Sequence, residues 1–377
     1  MTELPDAAWR RRFRARLLRW YDRSARDLPW RATGDPYAIW LSEIMLQQTT
    51  VATVAKRYGQ FLKRFPSIES LAAAREEDVL RAWEGLGYYR RARQLHRAAR
   101  AMVQRHGGRF PRELEEVLAL PGVGRYTAGA IVSIAFDTPA PILEANTRRV
   151  LARLLGYRGD PTSARGEQLL WSMAEALLPR RGSGKLNQAL MELGALVCTP
   201  KEPLCDECPV AALCEAQRLG QQRSIPRQRA KPELTDRHEI AVIVRRRGRV
   251  LLEQCPEGGR WAGLWDFPRF DAPEIDGTAF NKKSATEATP AQHGRLRAAI
   301  VDHLRRSRGL RVELGERLTT IRHGVTRYRI RLDAYTARAV SDEEPPPDAA
   351  PRKWLLPSAL EQYPLCTTGR KLAGMVA

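Results

Sequence analysis

The 377-residue sequence contains no run of eighteen uninterrupted apolar residues, an absence that excludes a membrane-spanning helix. Its arginine-rich first twenty residues carry neither an apolar core segment nor a small-residue cleavage site, so we expect no signal peptide. Cysteine is scarce, and two of the six, Cys255 and Cys366, are isolated. With no sign of export, this scatter argues against a disulfide framework. We therefore expect a soluble, cytoplasmic protein with no membrane-embedded segment.

Acidic residues are also comparatively few, with 43 Asp and Glu against 63 Lys and Arg, which gives a formal net charge of +20. A charge of this size favours a polyanionic partner over a small metabolite. Nucleic acid is the first candidate and an anionic membrane surface the second. The length of the chain suggests two or three domains.

The hydrophobic pattern changes character along the chain. Residues 1–220 read as helices joined by short turns, and one of these helices is predicted to begin at the Asp35-Pro36 cap and to continue to Phe65. The polar, proline-containing stretch 221–236 indicates a linker. Beyond it, two β-branched runs around Gly248 predict a hairpin. The sequence thus predicts an all-α domain at 1–220 and an α+β domain at 237–377.

The other four cysteines fall within seventeen residues with the spacing C-x6-C-x2-C-x5-C, namely Cys198, Cys205, Cys208 and Cys214. The run has one CxxC pair and no histidine. The long arms favour a cubane iron–sulfur cluster, in which each thiolate binds one iron, over a tetrahedral zinc ion. Unligated cysteines are a third reading.

A glycine-rich turn joins two predicted helices at Leu120–Gly124. Gly122 and Gly124 let the backbone approach a ligand closely, and the N–H groups that open the second helix can bind a phosphate. An ordinary helix–helix turn is the alternative reading. A second glycine-flanked stretch, 85–91, places two tyrosines beside two arginines, which suits base stacking with phosphate contacts. A helix end with core tyrosines is equally compatible with it.

Two glutamates could carry acid–base chemistry. Glu43 shares a helix face with Ile39 and other apolar residues, so lost hydration should raise its pKa toward the range of a general acid. The alternative is that it reaches solvent from the edge of the helix. Glu144 and Asn146 lie where an extended stretch gives way to a helix. Either could be the helix N-cap, a role that Asn146 fits better. As a pair, Glu43 and Glu144 suit the two-carboxylate cleavage of a glycosidic bond.

Taken together, these motifs resemble the adenine-DNA glycosylase (MutY) family, within the helix-hairpin-helix glycosylases of base excision repair. The resemblance covers nearly the whole chain and rests on LPWR, DPYAIWLSEIMLQQT, WEGLGYYRRARQLH, LPGVGRYTAGAI, ILEANTRRVLAR, NQALMELGALVCTP and the cysteine loop. Past the linker, GGRWAGLWDFP resembles the Nudix-like domain of that family. The resemblance implies an all-α helix-hairpin-helix glycosylase domain with a [4Fe–4S] loop, followed by an α+β Nudix-like domain.

The implied activity is the removal of adenine mispaired with 8-oxoguanine or guanine in duplex DNA. We expect a monomer, because duplex DNA supplies the only large interface that this activity requires. Glu43 corresponds to the acid that protonates adenine, Glu144 to the second carboxylate, and Tyr126 and Asn146 to residues that order the deoxyribose. The implied DNA contacts are Trp30, Arg31 and Gln188 near the flipped base, Gln48, Thr49, Leu86, Gly87 and Tyr88 near the oxidised guanine, Gly122 and Gly124 on the backbone, and Thr326 in the second domain.

Position 126 separates two related activities. The related endonuclease III family carries a lysine there that forms a Schiff base and cuts the strand, whereas this chain has Tyr126. The resemblance therefore implies a monofunctional glycosylase. A thymine- or uracil-mismatch glycosylase is the nearest alternative enzyme, since such enzymes can share the tyrosine. A catalytically silent iron–sulfur DNA-binding protein is an alternative of another class.

The sequence departs from the family pattern in two places. It has Glu144-Ala145-Asn146-Thr147 where the family has Asp-Gly-Asn-Val, and Val325-Thr326-Arg327 where the family has Phe-Ser-His. We expect a pocket adjusted to the longer acid, and His323 as a candidate for the lost histidine. The second domain also lacks the REx2EE carboxylate cluster of Nudix hydrolases, so it is predicted to recognise a lesion without hydrolysing nucleotides.

Overall fold

The computed structural model describes residues 4–227, 233–273, 290–342 and 349–376. The chain divides into two compact units. The first comprises Met1–Ala74 and Arg90–Ala230, and the second comprises Arg75–Tyr89 and Lys231–Ala377. A short segment from the helical part of the sequence therefore groups with the C-terminal part. Of the predicted linker, residues 228–232 lie outside the described residues.

Helices account for most of the first unit and for three segments of the second. In chain order they are α1 (Ala7–Ser24), α2 (Pro36–Leu46), α3 (Val51–Arg64), α4 (Ile68–Ala73), α5 (Glu76–Ala82), α6 (Arg90–His106), α7 (Leu114–Leu118), α8 (Arg125–Phe136), α9 (Ala145–Leu154), α10 (Ala164–Leu177), α11 (Ser183–Leu196), α12 (Glu215–Arg218), α13 (Pro290–Arg308) and α14 (Thr367–Ala373). Helices α5, α13 and α14 belong to the second unit. None of the helices in the described ranges is both long enough and apolar enough to cross a membrane.

The helix predicted from Pro36 to Phe65 is in fact two helices, so that prediction was wrong. Asp35 caps α2 as expected, and its carboxylate accepts a hydrogen bond from the backbone N–H of Tyr37. The helix ends at Leu46, and Gln48 takes a left-handed conformation with φ 56°. Thr50 then caps α3 through its side chain. The turn between the two helices places exposed polar side chains in the middle of an otherwise apolar region.

One hydrophobic core of the first unit forms where α1, α9, α10 and α11 meet. Their apolar faces supply its buried residues, among them Phe13, Leu17, Val150, Leu151, Leu170, Met173, Leu186 and Leu190. Three of the clustered cysteines, Cys198, Cys208 and Cys214, pack against the edge of the same core. Burial of this apolar surface fixes α9 and α11 relative to each other, and both helices carry predicted site residues.

A mixed sheet organises the second unit. Its strands are β1 (Thr235–Arg246), β2 (Arg249–Gln254), β3 (Trp265–Asp266), β4 (Arg269–Asp271), β5 (Leu310–Val325), β6 (Tyr328–Asp342) and β7 (Arg352–Leu355). The order is β3-β2-β1-β6-β5, with β4 paired to β1 and β7 to β2. The pairing of β1 with β6 is parallel and the other pairings are antiparallel. The predicted hairpin is confirmed as β1–β2, which turns at Arg247-Gly248.

Both faces of this sheet are covered, as the alternation in β1 shows. Ile240, Val242 and Val244 lie on the face that packs against Leu296, Ile300 and Leu304 of α13. Ala241 and Ile243 lie on the opposite face, with Leu372 and Ala373 of α14. The structure confirms the predicted fold class, with a helical unit and a second unit of the α+β type.

Candidate active site

Glu43 lies in α2 and is only 6% exposed. Burial raises its pKa from 4.5 to about 7, opposed by a hydrogen bond from Tyr126 and reinforced by the nearby charge of Glu144, while Arg31 lowers it. The predicted rise in pKa is therefore confirmed. Near neutral pH a substantial fraction of this carboxyl carries a proton, as a general acid requires.

Tyr126 forms a hydrogen bond with the Glu43 carboxyl. It lies in the first turn of α8, and its hydroxyl donates to Glu43 Oε2 at 2.8 Å and contacts Met191 Sδ at 3.3 Å. Burial raises its pKa well above 10, and the charges of Glu43 and Glu144 add to the rise. Tyr126 therefore stays protonated and serves as a fixed hydrogen-bond donor to Glu43.

Glu144 is the N-cap of α9, which corrects the expectation that Asn146 would fit this role better. Its two carboxylate oxygens accept from the backbone N–H groups of Asn146 at 2.7 Å and Thr147 at 2.8 Å. The Thr147 hydroxyl in turn accepts from the Glu144 N–H, which completes a capping box. The longer glutamate reaches both N–H groups, so one carboxylate is oriented at a helix N-terminus, where negative charge is favoured.

Asn146 instead uses its side chain within α9. Its Oδ1 accepts from Arg149 Nη2 at 2.9 Å, and its Cβ packs against Gly194 of α11. A methyl group at Gly194 would lie 2.7 Å from Asn146 Cβ, so only glycine allows α9 and α11 to approach this closely. The position of Asn146 is therefore set by helix packing as well as by its hydrogen bond.

The three residues predicted near the flipped base each contact other side chains of the first unit. Arg31 donates to Glu192 Oε2 at 2.7 Å, and Trp30 is buried with its ring edge-on to Tyr58. The Gln188 amide oxygen accepts from the Tyr21 hydroxyl at 3.4 Å. Through the charge of Arg31, this group of residues acts on Glu43, which links the LPWR motif to the carboxyl in α2.

The turn between α2 and α3 carries Gln48 and Thr49. Gln48 is exposed, and the Thr49 hydroxyl accepts from Arg91 Nη2 at 2.9 Å. Arg91 Nη1 also donates to the backbone oxygens of Ile44 at 2.7 Å and Met45 at 2.9 Å. The suggestion that the arginines of the 85–91 stretch hold phosphates therefore fails for Arg91, because its guanidinium caps the C-terminal end of α2.

Leu86, Gly87 and Tyr88 lie in the second unit. Tyr88 is 49% exposed with φ 46°, whereas Leu86 is only 4% exposed. Thr326 is exposed in the tight turn between β5 and β6, with φ 51°, and its hydroxyl donates to the Val325 carbonyl. His323 is partly buried, and burial beside Arg269 lowers its pKa.

The glycine turn joins α7 to α8. Gly122 has φ 77°, and a methyl group there would lie 2.5 Å from Gln94 Cβ, so this position requires glycine on two grounds. Gly124 is exposed and is the N-cap residue of α8. Since Tyr126 follows two residues later, the helix start that presents backbone N–H groups to solvent also places the phenol against Glu43. A cavity of about 660 Å³ lies beside the start of α8, lined by Gly124, Arg125, Tyr126, Leu143, Arg148, Glu167, Gln168, Trp171, Ser172 and Glu175.

The four clustered cysteines form no disulfide, and each is partly buried. Burial raises the pKa of Cys205, Cys208 and Cys214, and charge on Cys198 adds to each rise, so the four thiols lie near one another. Among the described residues, no group of three or more His, Cys, Asp or Glu is arranged to hold a single metal ion. Four thiols on one loop are nonetheless the donor set that a [4Fe–4S] cluster takes.

Three buried side chains of the first unit escaped the sequence analysis. Glu192 is fully buried and accepts from Arg26 and Arg31, which lower its pKa to about 2. Arg149 donates to the Cys198 carbonyl at 2.7 Å, and Arg153 contacts Cys198 Sγ at 3.2 Å. The sequence did offer a signal for the two arginines. Arg149 and Arg153 are four residues apart on the apolar face of α9, and charged side chains buried there need partners.

Comparison with known proteins agrees with this architecture. Residues 41–176 match the HhH-GPD superfamily of base excision DNA repair proteins, and residues 239–374 match the NUDIX domain family. The chain is 40% identical to the adenine DNA glycosylase of Rattus norvegicus over 68% of this chain and 60% of that protein. It is 38% identical to the adenine DNA glycosylase of Buchnera aphidicola subsp. Schizaphis graminum, over 68% of this chain and 74% of that protein.

Among solved structures, the helical part of this chain resembles the whole of a thermostable thymine-DNA glycosylase. The identity is 33% and the TM-score 0.53, over 57% of this chain and all of that structure. The chain spans about 60% of the length of the mammalian relatives that it matches.

Proposed function

Because the chain belongs to the adenine DNA glycosylase family, we propose that it removes adenine from mispairs in duplex DNA by hydrolysing the N-glycosidic bond. The observation that carries this proposal is the buried Glu43, whose pKa is raised to about 7 and which accepts a hydrogen bond from Tyr126. The net charge of +20 suits a duplex DNA partner. The predicted division into 1–220, a 221–236 linker and 237–377 is part of the proposal.

Protonated Glu43 supplies the first chemical step. Adenine leaves poorly as an anion, so Glu43 donates its proton to a ring nitrogen of the base while the glycosidic bond lengthens. The Tyr126 hydroxyl remains on the other oxygen of Glu43 and keeps the acid in one orientation. For this transfer the adenosine must leave the base stack and lie beside the Glu43–Tyr126 pair.

Glu144 supplies the opposite charge. As the bond breaks, the deoxyribose becomes an oxocarbenium-like cation, and a carboxylate held by two backbone N–H groups stabilises that charge without reorganising. Water then forms a bond to the anomeric carbon of this cation, and the proton that it loses returns to the Glu43 carboxylate, which restores the acid. With tyrosine rather than lysine at position 126, no amine at this position forms a Schiff base, and the proposed enzyme leaves the strand uncut.

We also propose that Cys198, Cys205, Cys208 and Cys214 bind a [4Fe–4S] cluster. The cluster would clamp the loop after α11, and no step of the chemistry passes through it. Arg149 and Arg153 support this assignment, because Arg149 donates to the Cys198 carbonyl and Arg153 donates to Cys198 Sγ and to the Thr199 carbonyl. The proposed DNA contacts are the exposed Gln48 and Tyr88, the Gly122–Gly124 turn, and Thr326 facing the oxidised guanine.

A second candidate is a thymine- or uracil-mismatch glycosylase, favoured by the 33% identity with the thymine-DNA glycosylase structure. Single-turnover assays on duplexes with A opposite 8-oxoguanine, A opposite G, T opposite G and U opposite G separate the candidates, with alkali to reveal abasic sites. We expect release of adenine from the first two duplexes. Release from T·G or U·G alone supports the second candidate, and tight binding without release anywhere supports a silent DNA-binding protein.

A Glu43→Gln variant tests the assigned acid within the same assay. It keeps the shape of the side chain but has no proton to give, so we expect it to bind the mispaired duplex and to release no base. Retained release would show that another group is the acid. A Glu313→Gln variant, which changes an exposed ion pair with Arg338, serves as the control and should behave as the unmodified protein does.

A further inference from the structure

The turn that follows α5 has an unusual backbone. Gly85, Gly87 and Tyr88 all have positive φ, at 91°, 69° and 46°. Glycine adopts this region freely, but a tyrosine does so only when its surroundings hold it there. Tyr88 is also about half exposed, so burial of its ring is not what holds the backbone in this conformation. Contacts on both sides of the turn must therefore maintain its shape.

The contact on the N-terminal side is an ion pair between a buried glutamate and a partly buried arginine. Glu84 is 7% exposed, and Arg370 of α14 donates to it through two nitrogens, from Nε to Oε1 at 2.7 Å and from Nη2 to Oε2 at 3.0 Å. Arg81 adds a further bond to Oε2 at 3.0 Å. The same Arg370 guanidinium donates to the carbonyls of Leu360 and Tyr363. This two-point pairing fixes direction as well as distance.

Further contacts within the second unit hold the same segment. The Trp265 indole N–H donates to Glu77 at 2.9 Å, and the Tyr89 hydroxyl donates to the Leu365 carbonyl at 3.3 Å. Inside the segment, the fully buried Trp83 donates from its indole N–H to the Gly87 carbonyl at 3.1 Å. Residues of the C-terminal part of the chain thus bracket the turn on both sides.

We propose that the Glu84–Arg370 pair is a positioning device, by which the α+β unit holds the 85–88 turn in the shape that probes duplex DNA. The inference rests on the proposed function, in which Tyr88 enters the duplex beside the oxidised guanine. Neither Glu84 nor Arg370 touches the base or the sugar in this account. Their effect is on how well the turn enters a mispaired duplex, and therefore on mispair affinity ahead of bond cleavage.

The test uses the full-length protein and a duplex with A opposite 8-oxoguanine, in which 2-aminopurine replaces the base next to the oxidised guanine. Insertion of the turn unstacks 2-aminopurine and raises its fluorescence. For Arg370→Gln and Glu84→Gln we expect the fluorescence rise to be largely lost, and affinity for the mispaired duplex to fall about tenfold or more. Affinity for a fully paired duplex should stay unchanged, and release at saturating enzyme should fall less than affinity does.

The double variant distinguishes a pair from two separate structural roles. If Glu84 and Arg370 act together, Glu84→Gln with Arg370→Gln should lose no more mispair affinity than either single variant. Arg338→Gln, in the exposed pair with Glu313, is the matched control and should preserve the fluorescence rise. Thermal unfolding of each variant identifies those that fail to fold, and Arg370→Lys, which keeps the charge but loses the fork, then provides the comparison.

Three results overturn the inference. These are an undiminished fluorescence rise in folded variants, an equal loss of affinity for paired and mispaired duplexes, and additive losses in the double variant. Failure of the proposed function looks different, because the unmodified protein would then release no adenine from any duplex. An unmodified protein that releases adenine, together with variants that insert the turn normally, rejects the positioning role alone.

Discussion

The Tyr126 hydroxyl donates a hydrogen bond to Glu43 Oε2 at 2.8 Å, and the accepting carboxyl is one whose pKa burial raises to about 7. The donor lies at the start of α8, directly after the glycine turn, and the acceptor lies on the apolar α2. The backbone element suited to a phosphate and the group suited to protonating a base are thus fixed to each other by one side-chain contact.

The rate of base release should depend on pH through Glu43. The protonated form is the active acid, so the single-turnover rate should be level below pH 7 and should fall about tenfold per unit well above it. Rates measured from pH 5.5 to 9 on the duplex with A opposite 8-oxoguanine check this. A rate that stays level up to pH 9 would falsify the assignment of the acid.

The same group should make folding stability depend on pH. Its folded pKa of about 7 exceeds the ordinary 4.5, so the folded state holds the proton more tightly than the unfolded state does. Stability should therefore be lost as pH rises from 4.5 to 7, by about 3 kcal/mol in the limit. We expect the free energy of unfolding of Glu43→Gln, measured in urea relative to that of the unmodified protein, to be higher at pH 8 than at pH 5. An equal difference between the two proteins at both pH values would contradict this.

Tyr126→Phe should shift the pH profile. The hydroxyl lowers the pKa of Glu43, so its removal raises that pKa further and moves the descending limb of the rate profile up by about one pH unit. The ring stays to fill the space, which keeps the packing of α8. The profile is measured as above, and a limb that stays in place would show that the phenol does not act on the acid.

Glu144→Gln separates the two roles of that side chain. The amide oxygen replaces one of the two accepting carboxylate oxygens and the other backbone N–H loses its partner, so the free energy of unfolding should fall by about 1–2 kcal/mol. The negative charge is lost, so the rate should fall by about a hundredfold or more. Glu144→Asp, which keeps the charge, should retain more of the rate. Equal rates for the two variants would remove the charge from the mechanism.

Gly194→Ala should be destabilising, because the new methyl group meets Asn146 Cβ at 2.7 Å and the backbone of that residue at 3.3 Å. We expect a loss of about 1–3 kcal/mol and a slower release of base as Asn146 is displaced. Gly59→Ala in α3 is the control, since nothing lies within 4 Å of the added carbon there. That variant should be neutral or slightly more stable. Chemical unfolding and single-turnover rates measure both effects.

Cys205→Ser should lower iron content, thermal stability and DNA affinity more than it lowers the rate of release at saturating enzyme. The reason is that Cys205 is one of the proposed cluster ligands and is not among the groups that act on Glu43. Cys255→Ser provides the control, because this isolated cysteine belongs to the sheet unit and its loss should leave the iron content unchanged. Full iron content in Cys205→Ser would contradict the ligand assignment.

The features that could be predicted from the sequence are those that depend on residues close together in the chain. The Asp35-Pro36 cap, the hairpin at Gly248 and the raised pKa of Glu43 each follow from residues within a few positions of one another. The break between α2 and α3 did not, because it depends on Arg91, some forty residues away. Glu192 was missed for the same reason, since its partners Arg26 and Arg31 are more than 160 residues distant in the chain.

The cap of α9 was mispredicted for a different reason. Asparagine is the better N-cap by intrinsic preference, but the helix begins two residues earlier and the capping box formed with Thr147 selects Glu144. Preference scales rank residue types at a fixed position, whereas the position of the helix start is set by the packing of α9 on α11.

The second unit is discontinuous along the chain, and this limits how the protein can be divided. A fragment ending in the 221–236 linker would carry α5 without Arg370 and Trp265, so Glu84 would lose its two-point pairing and keep the bond from Arg81, and Glu77 would lose the bond from Trp265. A fragment beginning there would lack the segment that those residues bind. Expression of either half alone is therefore expected to yield a less stable product than expression of the intact chain, and exchanging C-terminal halves between relatives should succeed only when α5 is exchanged with them.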